Sequence, residues 1–284
     1  MTETWLERAT ALSEMDDWQG LLEWCRDWTK NEPKNSIAWN KLGKAYYDLN
    51  RDKDAIKAYR KALQIKPEDD EAWQNLGWIY EQLHRYDDAI EVYRQALRIK
   101  PEDVYAWHNI GRIYEKLHRY DDVIEAYREA VRIEPEEESN WISLGWAYET
   151  LDRYDDVIEV YREALRINPN NANTWNKIGD TYKNLARYDD AIEAYRQAIH
   201  IKPKNSSFWI SLGNAYRDLD RHKDAIKAFR KVVSIDPSNA TTWYLLGDEY
   251  NLSGNKTAAM DAFRELKHLD PKQADELFNL IVPS

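Results

Sequence analysis

Residues 70–103 read DEAWQNLGWIYEQLHRYDDAIEVYRQALRIKPED, and one helical spacing runs through them twice. Trp73, Leu76, Gly77 and Tyr80 stand at i, i+3, i+4 and i+7, one face of a helix. Tyr86, Ala89, Ile90, Tyr93, Ala96 and Leu97 repeat that spacing on a second helix. Pro101 closes the second helix, because it has no N–H to donate and biases its predecessor away from helical geometry. Asp87 and Asp88 open it, where carboxylates favour the positive end of the helix dipole. Gly77 weakens a helix interior by about 1 kcal/mol against Ala. Its use must be closeness: without a side chain, a neighbouring helix can approach its backbone.

Working outward, the same stretch recurs along the chain. Pro33, Pro67, Pro101, Pro135, Pro169, Pro203, Pro237 and Pro271 are each 34 residues apart. Trp39, Trp73, Trp107, Trp141, Trp175, Trp209 and Trp243 keep the same step, as do glycines from Gly43 to Gly247 and tyrosines from Tyr46 to Tyr250. A fixed period of this length marks a repeat architecture. The 284 residues therefore read as one elongated array instead of two globular domains. With repeats beginning at Ser36, Asp70, Val104, Glu138, Ala172, Ser206 and Ala240, Trp falls at position 4, Gly at 8, Tyr at 11, Tyr or Phe at 24 and Pro at 32. Position-4 tryptophans such as Trp107 are expected in the core. Arg recurs at position 25 from Arg26 to Arg264 and is expected to pair with nearby surface carboxylates.

Trp73, Leu76, Gly77, Tyr80, Ala89, Tyr93, Ala96 and Pro101 fill the eight signature positions of the tetratricopeptide repeat family, which the chain resembles. The resemblance implies an all-α fold, a right-handed superhelical solenoid of antiparallel helix pairs in 34-residue repeats, with the first helix of each pair lining a concave groove. It also implies protein or peptide binding as the task. The whole of 1–284 is then a single array: a divergent N-terminal repeat at 2–35, seven full repeats over 36–273, and a C-terminal capping helix at 274–284. In the divergent repeat Ala9 replaces the Gly and Leu12 the Tyr, while Cys25 and Trp28 exchange bulk between the aromatic and alanine sites of the second helix. Cys25 reads as a small core residue. Trp24 fits either an end contact or a docking residue. Leu277, Leu280 and Ile281 give the capping helix its apolar face, and Pro283 is read as the end of the ordered chain.

Composition narrows the function. Formal net charge is -11, with 43% hydrophobic and 32% charged residues, which argues against nucleic acid as a partner. No 18-residue apolar run exists for a membrane span. The opening MTETWLERAT has neither the basic start nor the apolar core of a secretory leader, so a cytoplasmic protein is expected. One cysteine leaves no cysteine-built metal site, and six scattered histidines make no ligand spacing. The signature glycines are isolated on helices and form no phosphate loop. No catalytic, cofactor or metal residues are assigned, and no enzyme activity is expected.

Specificity is expected on helix-A residues that the signature does not demand. At position 9 the series runs Lys44, Trp78, Arg112, Trp146, Asp180, Asn214 and Asp248. A large aromatic on a variable row has no packing excuse, and Trp and Arg dominate binding hot spots. The opposing expectation is that Trp78 and Trp146 lie across a neighbouring helix and stiffen the array. Around them the candidate groove adds Asn75, Tyr105, His108, Asn109 and Ile142. The carboxylate-clamp subtype, which holds acidic chaperone tails, is matched at Asn75 alone. The leading expectation is an adaptor or scaffold that takes a peptide or helix of a partner in the groove. The alternative is a scaffold that self-assembles into a homo-oligomer through its ends or groove, favoured if Trp5, Trp18, Trp24 and Trp28 are exposed.

Overall fold

The spacing of apolar residues becomes two helices per 34 residues in the computed structural model, which describes residues 4–282. The chain packs as two compact units. The first, Met1–Glu134, holds α1 (Trp5–Glu14), α2 (Trp18–Asn31), α3 (Ser36–Asp48), α4 (Asp52–Ile65), α5 (Asp70–Gln82), α6 (Tyr86–Ile99), α7 (Val104–Lys116) and α8 (Tyr120–Ile133). The second, Pro135–Ser284, holds α9 (Glu138–Glu149), α10 (Tyr154–Ile167), α11 (Ala172–Asn184), α12 (Tyr188–Ile201), α13 (Ser206–Arg217), α14 (His222–Ile235), α15 (Ala240–Leu252), α16 (Lys256–Leu269) and α17 (Pro271–Ile281). No strand occurs among the described residues. Within each unit, successive helices pack as pairs and each pair packs on the next. Pro283 lies outside the described residues.

Local chemistry sets the helix ends. Asn35, Asp69, Asp103, Asn171, Asn205 and Asn239 cap the A helices by accepting from backbone N–H groups of the first turn. Most B helices begin after an arginine that makes no side-chain cap. That arginine instead grips the acid three residues on, as Arg85 does Asp88 at 2.8 Å and Arg119 does Asp122 at 2.7 Å. The turn between helices A and B always contains a left-handed residue: Asn50, His84, His118, Asp152, Ala186, Asp220 and Gly254 all have φ between 52° and 80°.

The signature glycine does admit a close neighbour, and that neighbour is the aromatic ring of helix B at position 24. A Cβ on Gly43 would meet the Tyr59 ring at 2.8 Å, one on Gly111 the Tyr127 ring at 2.6 Å, and one on Gly213 the Phe229 ring at 2.5 Å. Tyr59, Tyr93, Tyr161, Tyr195 and Phe229 are consequently among the largest fully buried side chains. In the divergent repeat Ala9 carries the Cβ, and Cys25 stands in for the ring; both are fully buried. Burial pushes the Cys25 thiol up to about 12, as befits a core residue. At the other end Leu277 of α17 takes the space beside Gly247, and Phe263 turns to Phe278 at 5.3 Å.

Two expectations need correction. Trp107 and its position-4 counterparts are half-buried, outside the fully buried core. Each indole N–H instead donates to the carbonyl of the proline six residues earlier: Trp39 to Pro33 at 3.0 Å, Trp107 to Pro101 at 3.2 Å, Trp243 to Pro237 at 2.8 Å. The ring is a hook that fixes the loop entering its repeat. The arginines at position 25 do not chiefly seek carboxylates either. Arg60, Arg94, Arg162 and Arg196 donate to the Tyr hydroxyls of the following A helices, Tyr80, Tyr114, Tyr182 and Tyr216, at 2.7–2.9 Å. A second arginine lies over the same ring, Arg85 on Tyr80 at 4.6 Å and Arg187 on Tyr182 at 4.5 Å.

Candidate protein-interaction surface

Seven of the nine candidate residues fall on the A helices of the first unit: Lys44 on α3, Asn75 and Trp78 on α5, and Tyr105, His108, Asn109 and Arg112 on α7. Ile142 and Trp146, both half-buried, stand on α9 of the second unit. Trp78 is half-buried and meets Tyr47 of α3 edge-on, with ring centroids 4.8 Å apart. It thus packs across the neighbouring helix while keeping part of its ring free. Lys44 lies over the Trp18 ring at 5.6 Å. His108 lies against the Tyr127 ring at 5.3 Å.

Two polar candidates are committed internally. Asn109 is buried, donates to the Tyr105 carbonyl at 2.8 Å and accepts from Arg112 at 2.6 Å. Arg112 also reaches back to α5, where its guanidinium donates to Glu81 at 2.8 Å. Lys116 donates to the other oxygen of the same carboxylate at 2.7 Å. Glu81 is 2% exposed, so this carboxylate is compensated by two cations whose own heads remain partly solvated. Tyr105, by contrast, is 46% exposed, the most exposed tyrosine among the described residues.

Sequence reasoning did not single out Glu81, which belongs to an acidic row at position 12. Its members serve the fold: Glu115 accepts from the Tyr127 hydroxyl at 2.6 Å, and Glu149 from Lys177 at 2.7 Å. Burial, reinforced by that Glu115 bond, raises the Tyr127 phenol above its ordinary value. The available signal was the acid at position 12 followed in the next repeat by a cation at 6, 9 or 13. Tyr93 on α6 is 1% exposed, and its hydroxyl has no hydrogen-bond partner among the described residues.

The tryptophans of the first repeat are not a free patch. Trp24 donates to the Trp5 carbonyl at 2.9 Å and tilts against its ring at 4.6 Å. Trp28 is buried and stacks on Trp5 at 6.2 Å. Trp24 is therefore an end contact of the first helix pair. Among the described residues no group of three His, Cys, Asp or Glu could hold a metal ion, and no helix is long and apolar enough to cross a membrane.

Stacked helix pairs whose A helices offer partly exposed side chains define a helical-repeat scaffold for protein contacts. Tetratricopeptide-repeat family models match residues 43–84 and 151–185, 70–103 and 104–137, 176–240, and 240–273. The chain belongs to the tetratricopeptide repeat family. Members of this family are generally non-enzymatic adaptors that bind protein or peptide partners. Among solved structures, it is similar to the MamA protein at 26% identity and a TM-score of 0.54, over 60% of this chain and 92% of that one. MamA from Desulfovibrio magneticus RS-1 is similar at 19% identity and a TM-score of 0.54, over 60% and 96%. YrrB, described as a TPR protein with an unusual peptide-binding site, shares the fold at 18% identity and a TM-score of 0.56, over 67% and 98%. No curated protein sequence matches the chain.

Proposed function

We propose that the chain is an adaptor that binds a segment of a partner protein along α3, α5 and α7. The exposed ring of Tyr105 carries this reading, because such a side chain on a helix-A face has no packing role that demands it. Beside it, the Glu81 carboxylate engages both Arg112 and Lys116, so apolar and aromatic contacts would contribute more to selecting the ligand than these cations. Trp78 would contribute the part of its ring that Tyr47 leaves free. Catalysis has no place in this reading.

A photo-crosslinking residue placed at Tyr105 should capture a partner in cells, and one placed at Glu125 on α8 should not. Tyr105→Ala and Trp78→Ala should each weaken binding of the captured partner by about 1–3 kcal/mol. Equal capture at both positions, or unchanged affinity in both variants, would defeat the reading.

A further inference from the structure

The outward face of α14 reverses the charge of four of its counterparts and shares its lysines at positions 18, 22 and 26 with α4, which has Lys53, Lys57 and Lys61 there. At position 22, helices α6, α8, α10 and α12 carry Glu91, Glu125, Glu159 and Glu193, and at position 18 they carry Asp87, Asp121, Asp155 and Asp189. Helix α14 has Lys227 and Lys223 at those places and adds Lys231 at position 26, where those four have Gln or Glu. The residues at position 29 also change: Arg98, Arg132 and Arg166 give way to the shorter His200 and Ser234. A basic strip with room beside it thus appears in a chain whose net charge is -11.

The room is a furrow. A cleft of about 430 Å³ between α12 and α14 is lined by Arg196, His200, Trp209 and Lys227. A neighbouring one of about 520 Å³ is lined by Trp209, Lys227, Arg230, Lys231 and Ser234. A third, of about 360 Å³, is lined by Arg230, Ser234, Trp243 and Tyr250. Trp209 and Lys227 are common to the first two, and Arg230 and Ser234 to the last two, so the clefts run together along α14. The four residues Lys227, Arg230, Lys231 and Ser234 are spaced i, i+3, i+4 and i+7, one stripe of that helix.

Three observations make this stripe ready for an acidic ligand. Arg230 differs from Arg60, Arg94, Arg162 and Arg196: it makes no bond to the tyrosine of the next repeat, and it has no partner among the described residues. The acids that touch the furrow are already engaged, Asp224 by Arg221 at 2.8 Å and by Lys227 itself at 3.1 Å, and Asp261 by Arg264 at 2.6 Å. A ligand carboxylate would share Lys227 with Asp224 and meet Arg230 and Lys231 directly. Trp209 and Trp243 are pinned by their bonds to Pro203 and Pro237, at 2.9 and 2.8 Å, so their rings stand in place before anything binds.

We propose that this furrow is a second protein-binding site, taking an acidic peptide segment whose carboxylates pair with Lys227, Arg230 and Lys231. The peptide's apolar side chains lie against Trp209 and Trp243. A short segment fits because surface fields are screened beyond about 8 Å in physiological salt, so it meets the strip and not the acidic helices around it. A long polyphosphate would meet both. The site is separate from the α3, α5 and α7 face and stands whether or not that reading does.

The test is fluorescence anisotropy on the full chain with a fluorescein-labelled peptide built from Asp, Leu and Glu. Wild type should bind it, more weakly as salt rises. Lys227→Glu with Arg230→Glu should lose roughly tenfold or more, and Arg230→Gln alone should lose part of that. Both residues are exposed, and circular dichroism checks that helix content is kept. Lys57→Glu with Lys61→Glu on α4 makes the same charge change on another basic helix and should leave binding unchanged, as should Tyr105→Ala. No binding by wild type, equal binding by the α14 variants, or equal loss in the α4 variant overturns the proposal. Tighter binding of an oligothymidylate through the same residues overturns it in favour of nucleic acid. A dimer abolished by the α14 variants in sedimentation overturns it in favour of a second copy.

Discussion

Ala186 holds a φ of 56° in the turn between α11 and α12, a conformation that suits glycine and is strained for alanine. The same turn position carries Asn50, Asp152, Asp220 and Gly254 elsewhere, residues that tolerate the left-handed region or, as Gly, are free in it. His84 and His118 adopt it too, each with its ring Nδ1 within 3.0 Å of the tyrosine hydroxyl two residues on. Ala186 has no polar side chain with which to offset the strain. Ala186→Gly should therefore stabilise the protein by about 0.5–1 kcal/mol, after subtracting the extra freedom that Gly brings to the unfolded chain. Gly254→Ala, at φ 80°, should act in the opposite direction. A urea titration reads both as shifts in midpoint at constant slope. A lower midpoint for Ala186→Gly would show that the turn is not strained there.

Between elements, the decisive fit is glycine on helix A against the ring on helix B. Gly111→Ala gains about 1 kcal/mol of helix propensity but drives a methyl into the Tyr127 ring, where overpacking costs about 1–3 kcal/mol. Tyr127 cannot yield freely, because its hydroxyl is held by Glu115 at 2.6 Å. A net loss of up to about 2 kcal/mol is expected, read by thermal or urea unfolding, and a more stable variant would mean that the ring moves aside. Ala9 opposite Cys25 shows the same rule with the volumes reversed. This much was legible in the sequence: the spacing of Trp73, Leu76, Gly77 and Tyr80 placed the helices, and the glycine announced a close neighbour. What the period could not reveal was which groups bond across repeats. Arg60 finds the hydroxyl of Tyr80 twenty residues on, and Arg112 finds Glu81 thirty-one residues back. Neither lies on the same helix as its partner, so hydrophobic spacing carries no trace of the pair. The tryptophan hooks were hidden for a related reason, since a half-buried Trp and a core Trp leave the same mark at position 4. The candidate residues were legible as helix-A positions outside the signature, but the internal commitments of Asn109 and Arg112 were not.

Across the whole molecule, stability is expected to be a sum over repeats and their neighbouring contacts, because the bonds that join repeats recur at fixed register. Removing residues 172–205, which carry α11 and α12, tests this within the second unit. The new junction joins Asn171 to Ser206, and each staple is restored. Trp209 would meet the Pro169 carbonyl six residues earlier, where Trp175 now donates at 3.0 Å. Arg162 would meet Tyr216 where it now meets Tyr182 at 2.7 Å. Asn171, which caps α11, would cap α13 in place of Asn205. Among the contacts that would not return are the Lys177–Glu149 ion pair and the Lys177 contact with the Tyr161 ring, since Ser211 would take that place, and the Tyr195–Asp180 bond. The shortened chain should keep its helical circular dichroism per residue and unfold cooperatively. It should lose about 2–5 kcal/mol, the share of stability that 34 average residues carry. Loss of the helical signal would mean that the second unit's stability is not divisible in this way, and that α11 and α12 support helices they do not touch.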